Sequence, residues 1–170
     1  KSLNIYRMPY AQVKTYDVGM KPHPRFPQQQ KLPAVKPPLA DAIDSAETHA
    51  KRLGKVPPQY NIETKCLPEG DDIYHPKPPA FVDILMGVIN SKSITDRTTI
   101  QSFDPRSLQY LHEKYPLVPT ALLVEETDSL SFALQLKQLG FIPSIYSPAY
   151  QLVTPLLVKQ CHDAGIRIIP

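Results

Sequence analysis

A carboxylate and an ammonium stand two residues apart in Tyr60-Asn61-Ile62-Glu63-Thr64-Lys65. The stretch reads as a short strand, along which side chains alternate between faces. Ile62 and Thr64 then point one way, and Asn61, Glu63 and Lys65 the other. Opposite charges on one strand face are costly inside a protein unless each finds a partner. At a strand end the pair suits a cation and an anion held together, such as a metal and a phosphate. An internal ion pair or a solvated edge strand explains the same stretch more simply.

A second group follows in the next loop, where Glu69, Asp71 and Asp72 precede His75. A loop leaving the end of the Glu63 strand shares its face, so His75 is a candidate for substrate contact or for a second metal. A solvated acidic turn is the plainer alternative. His23, His49, His112 and His162 lie in a proline-rich loop or on helices and read as structural or solvated. Phe103 and Tyr146 could line a pocket, with core packing the simpler role.

The elements that must position these residues alternate. Helices are expected from Leu39 to Gly54, with Leu39, Ala42, Ile43, Ala46, Ala50 and Leu53 on one face, and around Phe81, Ile84, Leu85, Val88 and Ile89. Asp104-Pro105 starts another, since Asp104 can cap free amides and Pro105 suits the first helical position. Later helices carry Leu130, Ala133 and Leu134, then Leu157, Val158 and Cys161. Strands are expected at Thr98–Phe103, Ala121–Val124, Ser144–Ser147 and from Arg167. Strand–helix alternation without hairpin turns predicts parallel βα units. Strand centres near Gln101, Leu123, Ile145 and Ile168 recur every twenty-two residues or so, which fits a (β/α)8 barrel better than an open doubly wound sheet. The expected class is α/β: an incomplete TIM barrel of about five βα units, against the roughly 250 residues that a whole one takes.

The chain has 170 residues and 42% apolar content, enough for one core. Its 20 prolines cluster in irregular connections. Residues 1–36 are therefore read as an irregular Pro-rich N-terminal insertion, and 37–170 as part of one barrel domain. A net charge of +3, without a recognised basic patch interleaved with aromatics, gives no case for nucleic acid. The six glycines lie too far apart for a phosphate-cradling loop. Cys66 and Cys161 have no metal spacing, and a disulfide between them is left open. The uncharged run Phe141–Val158 is broken by Pro143, Pro148 and Pro155, which argues against a transmembrane segment. Localisation and oligomeric state stay open.

Three segments resemble one known family. Asn61-Ile62-Glu63-Thr64-Lys65 looks like its N-I-E-x-K strand. Thr99-Ile100-Gln101-Ser102-Phe103-Asp104 looks like its Gln-Ser-Phe-Asp strand. Ile145-Tyr146-Ser147-Pro148, followed by Cys161-His162-Asp163-Ala164-Gly165-Ile166-Arg167-Ile168-Ile169-Pro170, looks like its last helix and strand. The family is the glycerophosphodiester phosphodiesterases, metal-dependent TIM-barrel hydrolases that release glycerol 3-phosphate and an alcohol. The resemblance implies that Glu63 is a ligand for Mg2+ or Ca2+, and that Lys65 sits beside the phosphate of a small-molecule glycerophosphodiester. It places Gln101, Ser102 and Phe103 near the substrate. Hard cations prefer oxygen ligands, which suits Glu63.

The family's His-Arg-Gly and Pro-Glu-Asn-Thr motifs do not occur in this sequence, and its Glu-x-Asp and His-Asp motifs are expected before the Glu63 strand, where no such pair stands. They carry its two proton-transfer histidines and the remaining ligands, so no catalytic residue is assigned here. The stretch alone is expected to be inactive. It is also expected not to form a stable soluble monomer, because open sheet edges and apolar helix faces would be exposed. A related phospholipase-type phosphodiesterase on the same barrel, or a non-catalytic phosphoester-binding barrel, are the alternatives.

Overall fold

The computed structural model describes residues 3–170. They divide into two compact units, one running to Pro57 and the other Pro58–Pro170. In the first unit a four-residue helix, α1 (Tyr10–Val13), is followed by a long irregular stretch and then by α2 (Leu39–Arg52). The proline content explains the irregularity, and a single side chain organises it. Asp17 accepts hydrogen bonds from the amides of Gly19 (3.0 Å), Met20 (2.7 Å) and Ala34 (2.9 Å). These amides, Met20's foremost, hold the Asp17 carboxyl below the usual range. In α2 only Ile43 is fully buried, while Leu53, expected on the same face, is exposed beyond the helix end.

The second unit is β1 (Tyr60–Glu63), α3 (Pro78–Ser91), β2 (Thr98–Ser102), α4 (Pro105–Lys114), β3 (Thr120–Val124), α5 (Phe132–Leu139), β4 (Ile145–Pro148), α6 (Pro155–Asp163) and β5 (Arg167–Ile168). All five strands are parallel, and their spatial order is their chain order. A doubly wound sheet reverses its strand order at a switch point. This sheet does not, so the barrel-like progression expected from the regular spacing is present.

Strand boundaries follow the burial pattern. In β2, Thr98, Ile100 and Ser102 are buried, while Thr99 and Gln101 are half-buried. Helix α4 packs on β2 and β3. Helix starts follow local chemistry. Asp104 Oδ1 accepts from the Arg106 amide at 3.0 Å, and Thr154 Oγ1 accepts from the Leu157 amide at 3.1 Å. Each of these caps precedes a proline at the first helical position. Gly140 ends α5 in the left-handed conformation.

Two helix faces differ from expectation. In α3 the buried side chains are Pro78, Val82, Leu85, Met86 and Ile89, whereas Ile84 is 62% exposed. Phe-Val-Asp-Ile-Leu-Met-Gly-Val-Ile is apolar almost all round, so periodicity could not fix its phase. In α5 the buried residues are Gln135 and Leu139, while Leu134 is exposed. A polar residue faces inward because the Gln135 amide oxygen accepts the buried Tyr146 hydroxyl. Burial pushes that phenol up to about 12, and Phe132 packs edge-on against its ring. Tyr146 is thus a core residue. Cys66 and Cys161 are buried free thiols, and burial raises both above the usual thiol range.

Asp104→Ala removes the α4 cap, which is worth about 1 kcal/mol. Asp104→Asn keeps a capping oxygen. Thermal melts of the full-length protein are therefore expected to show a lower Tm for the alanine variant than for the asparagine variant.

Candidate active site

The C-terminal ends of β1 and β2 bring together residues far apart in sequence. The register pairs Asn61 with Thr99, Ile62 with Ile100 and Glu63 with Gln101. Asn61, Glu63, Thr99 and Gln101 share the less covered face of the sheet, while Ile100, Thr64 and Ser102 lie on the covered face. Asn61 Nδ2 donates to Gln101 Oε1 at 2.7 Å. The ladder continues past β1, with the Thr64 amide donating to the Gln101 carbonyl at 3.0 Å. Ser102 Oγ then donates to the Thr64 carbonyl at 3.2 Å and accepts from the Asp104 amide at 3.1 Å.

Lys65 Nζ lies 2.6 Å from Glu63 Oε1, with side-chain exposures of 76% and 22%. The distance is that of an ion pair, but the angles are not those of a hydrogen bond, so the buried Oε1 has no aligned donor. A carboxylate oxygen buried without a donor is suited to a hard cation. Among the described residues no group of three His, Cys, Asp or Glu side chains could by itself hold a metal. Glu63 therefore fits one position in a ligand set rather than a whole site. Lys65 Nζ also lies 5.7 Å from the centroid of the Phe103 ring, within cation–π reach. Glu63, Lys65, Gln101 and Phe103 thus form one connected group.

His75 belongs to a different network. Its Nε2 accepts from the Leu67 amide at 3.1 Å, and its Nδ1 faces the Pro76 carbonyl at 2.9 Å. That pattern corresponds to the neutral Nδ1–H tautomer. The ring packs directly over Gly70, where an added Cβ would come within 2.4 Å of Nε2. His75 thereby closes its own loop, with both nitrogens engaged there rather than left for a substrate.

The acidic loop is not a solvated turn throughout. Asp71 accepts from Arg106 Nη1 at 2.7 Å and Nη2 at 3.2 Å. The same guanidinium donates from Nε and Nη2 to Asp104, at 3.0 Å and 2.6 Å for the shortest contacts. Asp104 is almost fully buried, and Asp71 is largely buried. Sequence reading missed this three-residue cluster. Asp104-Pro105-Arg106 signalled only a helix start, and nothing local announced a partner for Arg106 thirty-five positions away. The remaining histidines are structural or surface groups, as with His112 stacked on Phe141 at 4.0 Å between centroids.

Five parallel strands in sequential order define part of a TIM-barrel domain. The sequence matches the glycerophosphoryl diester phosphodiesterase family over residues 2–170, and the chain belongs to that family. Three solved structures share the fold. A Silicibacter pomeroyi protein described as a glycerophosphoryl diester phosphodiesterase has TM-score 0.77 at 23% identity, over 95% of this chain and 56% of its own. An Oleispira antarctica phosphodiesterase in complex with the product sn-glycerol-3-phosphate has TM-score 0.64 at 18% identity, over 96% and 58%. A Parabacteroides distasonis glycerophosphodiester phosphodiesterase has TM-score 0.59 at 18% identity, over 94% and 56%. The chain spans little more than half the length of each. No curated relative matches it. No helix among the described residues is long and apolar enough to cross a membrane.

Hydrogen bonds from Arg106 are the main cause of a lowered Asp71 pKa. A carboxyl depressed on folding contributes stability above its unfolded pKa and loses it as pH falls through the folded value. The Tm gap between the full-length protein and its Asp71→Asn variant is expected to be constant above about pH 5 and to close as pH falls below about 4. A pH-independent gap would contradict the pairing.

Proposed function

We propose that the complete protein hydrolyses glycerophosphodiesters to glycerol 3-phosphate and an alcohol. The observation that carries the reading is the Glu63–Lys65 pair, set at the end of β1 in a chain of this family. Glu63 would supply one ligand to a divalent cation, Mg2+ or Ca2+. Its buried Oε1, ion-paired to Lys65 but without an aligned hydrogen bond, supports that role. Such a cation neutralises charge on the phosphate oxygens and acidifies a bound water or hydroxyl.

The residues of this chain would do the rest of the binding. Lys65 presents a mobile positive charge for a phosphate oxygen. Phe103 offers an apolar surface beside it, and Gln101 lines the strand end next to Glu63. His75 is proposed to shape the adjoining loop, with both nitrogens already bonded. The family's proton-transfer roles are not assigned to any residue of this chain.

The test is hydrolysis of glycerophosphocholine by the full-length protein with Mg2+, with Ca2+ and with chelator. The expected result is metal-dependent release of glycerol 3-phosphate. Glu63→Ala, which removes a preorganised charge, should lower turnover by about a hundredfold or more, whereas Lys65→Ala should chiefly raise KM. A folded protein that turns over no glycerophosphodiester with either metal would favour a related phosphodiester first, and then a phosphoester-binding role.

A further inference from the structure

We propose that Arg106 is a positioning residue for Lys65, fixing the backbone from which its flexible ammonium reaches a substrate phosphate. This rests on the reading of Lys65 given above. Glu63 and Lys65 are fixed by different means. Glu63 lies inside β1, opposite Gln101 in the ladder. Lys65 lies beyond the last ladder bond, from the Thr64 amide to the Gln101 carbonyl. Its backbone runs directly into the loop closed by His75.

That loop is internally tied. His75 receives the Leu67 amide at 3.1 Å, and the Asp72 amide donates to the His75 carbonyl at 2.8 Å. A tied loop moves as a unit, so what anchors it to the barrel sets the position of the segment leading into it. Asp71 provides the anchor through two hydrogen bonds to Arg106. The other half of the guanidinium grips Asp104, the residue after Phe103. One side chain thus ties the loop that leaves Lys65 to the segment carrying the ring beside the Lys65 ammonium.

The Arg106 guanidinium itself is committed. Its Nε, Nη1 and Nη2 all donate to carboxylates, so it serves as a support and not as a phosphate ligand. Loosening the anchor releases Lys65 while the ladder keeps Glu63. An ammonium that meets the phosphate in ground and transition states alike contributes uniform binding, which appears in KM rather than in kcat.

The experiment compares the full-length enzyme with Arg106→Ala, Arg106→Lys and Asp71→Asn, using glycerophosphocholine at saturating Mg2+. Arg106→Ala and Asp71→Asn should raise KM by about tenfold with kcat within about twofold of wild type. Arg106→Lys keeps one charge without the fork and should fall between. The Mg2+ concentration for half-maximal activity should not move. Amide hydrogen exchange at residues 67–76 should speed up in Arg106→Ala and Asp71→Asn. An unchanged KM or unchanged exchange in the variants overturns the inference and leaves the proposed function standing. A shift of the Mg2+ midpoint in step with KM also overturns it, because the clamp would then be supporting Glu63. A wild type that does not hydrolyse the substrate overturns the functional reading, and this inference with it.

Discussion

The β1–β2 ladder is the constraint on which the candidate site depends. A slip of one residue in a strand exchanges its two faces. Here such a slip would put Thr64 on the open face and turn Glu63 into the helix-covered side. The register that places Glu63 opposite Gln101 is held by more than the regular strand bonds. The Thr64 amide adds a bond to the Gln101 carbonyl, and the Ser102 hydroxyl holds the Thr64 carbonyl from the covered side. Asn61 bridges to Gln101 on the open side. Both faces therefore lock the same alignment, at the point where two strands hand over to two loops.

Those loops inherit their geometry from the ladder and from one buried carboxylate. Asp104 caps α4 through the Arg106 amide and binds the Arg106 side chain as well. An anion at a helix N-terminus is favoured by the unpaired amides there. The same anion fixes the guanidinium, which then reaches Asp71 in the preceding loop. Removing one member of such a set leaves another charge partly buried without a partner, which costs more than the pair contributes. The cluster therefore behaves as one unit, and it couples helix initiation to loop placement.

The fold was legible in the sequence because its strongest signals are local. Strand–helix alternation, the regular spacing and the Asp104-Pro105 start all appear at the expected positions. Phase was less legible. The α3 segment is too uniformly apolar to show which face is inward, and Gln135 is buried by a tertiary bond to Tyr146 that no local pattern announces. The site divides along the same line. Glu63 and Lys65 were readable because alternation along one strand puts them on one face. Arg106 was not, because its importance comes from two carboxylates brought to it by the fold. His75 was marked by its residue type and neighbours, but the geometry makes it a hinge pin of its loop.

The Glu63–Lys65 contact can be weighed as a structural salt bridge. With Lys65 three-quarters exposed, such a pair contributes about 0–1 kcal/mol at most, and salt screens it further. The fold gains little from placing these charges there. A structural pair would be stronger if Lys65 were packed or if the carboxylate received aligned donors, as Asp104 does from Arg106. Instead Glu63 Oε1 is buried without an aligned hydrogen bond, and its counter-charge stands on a flexible stem in water. The same sheet end builds a tightly paired guanidinium four residues past the Glu63 partner strand and leaves this ammonium loose. That contrast separates the two roles. Charges that hold the loops are fully paired, while those proposed to meet cation and phosphate are held weakly enough to exchange their partners.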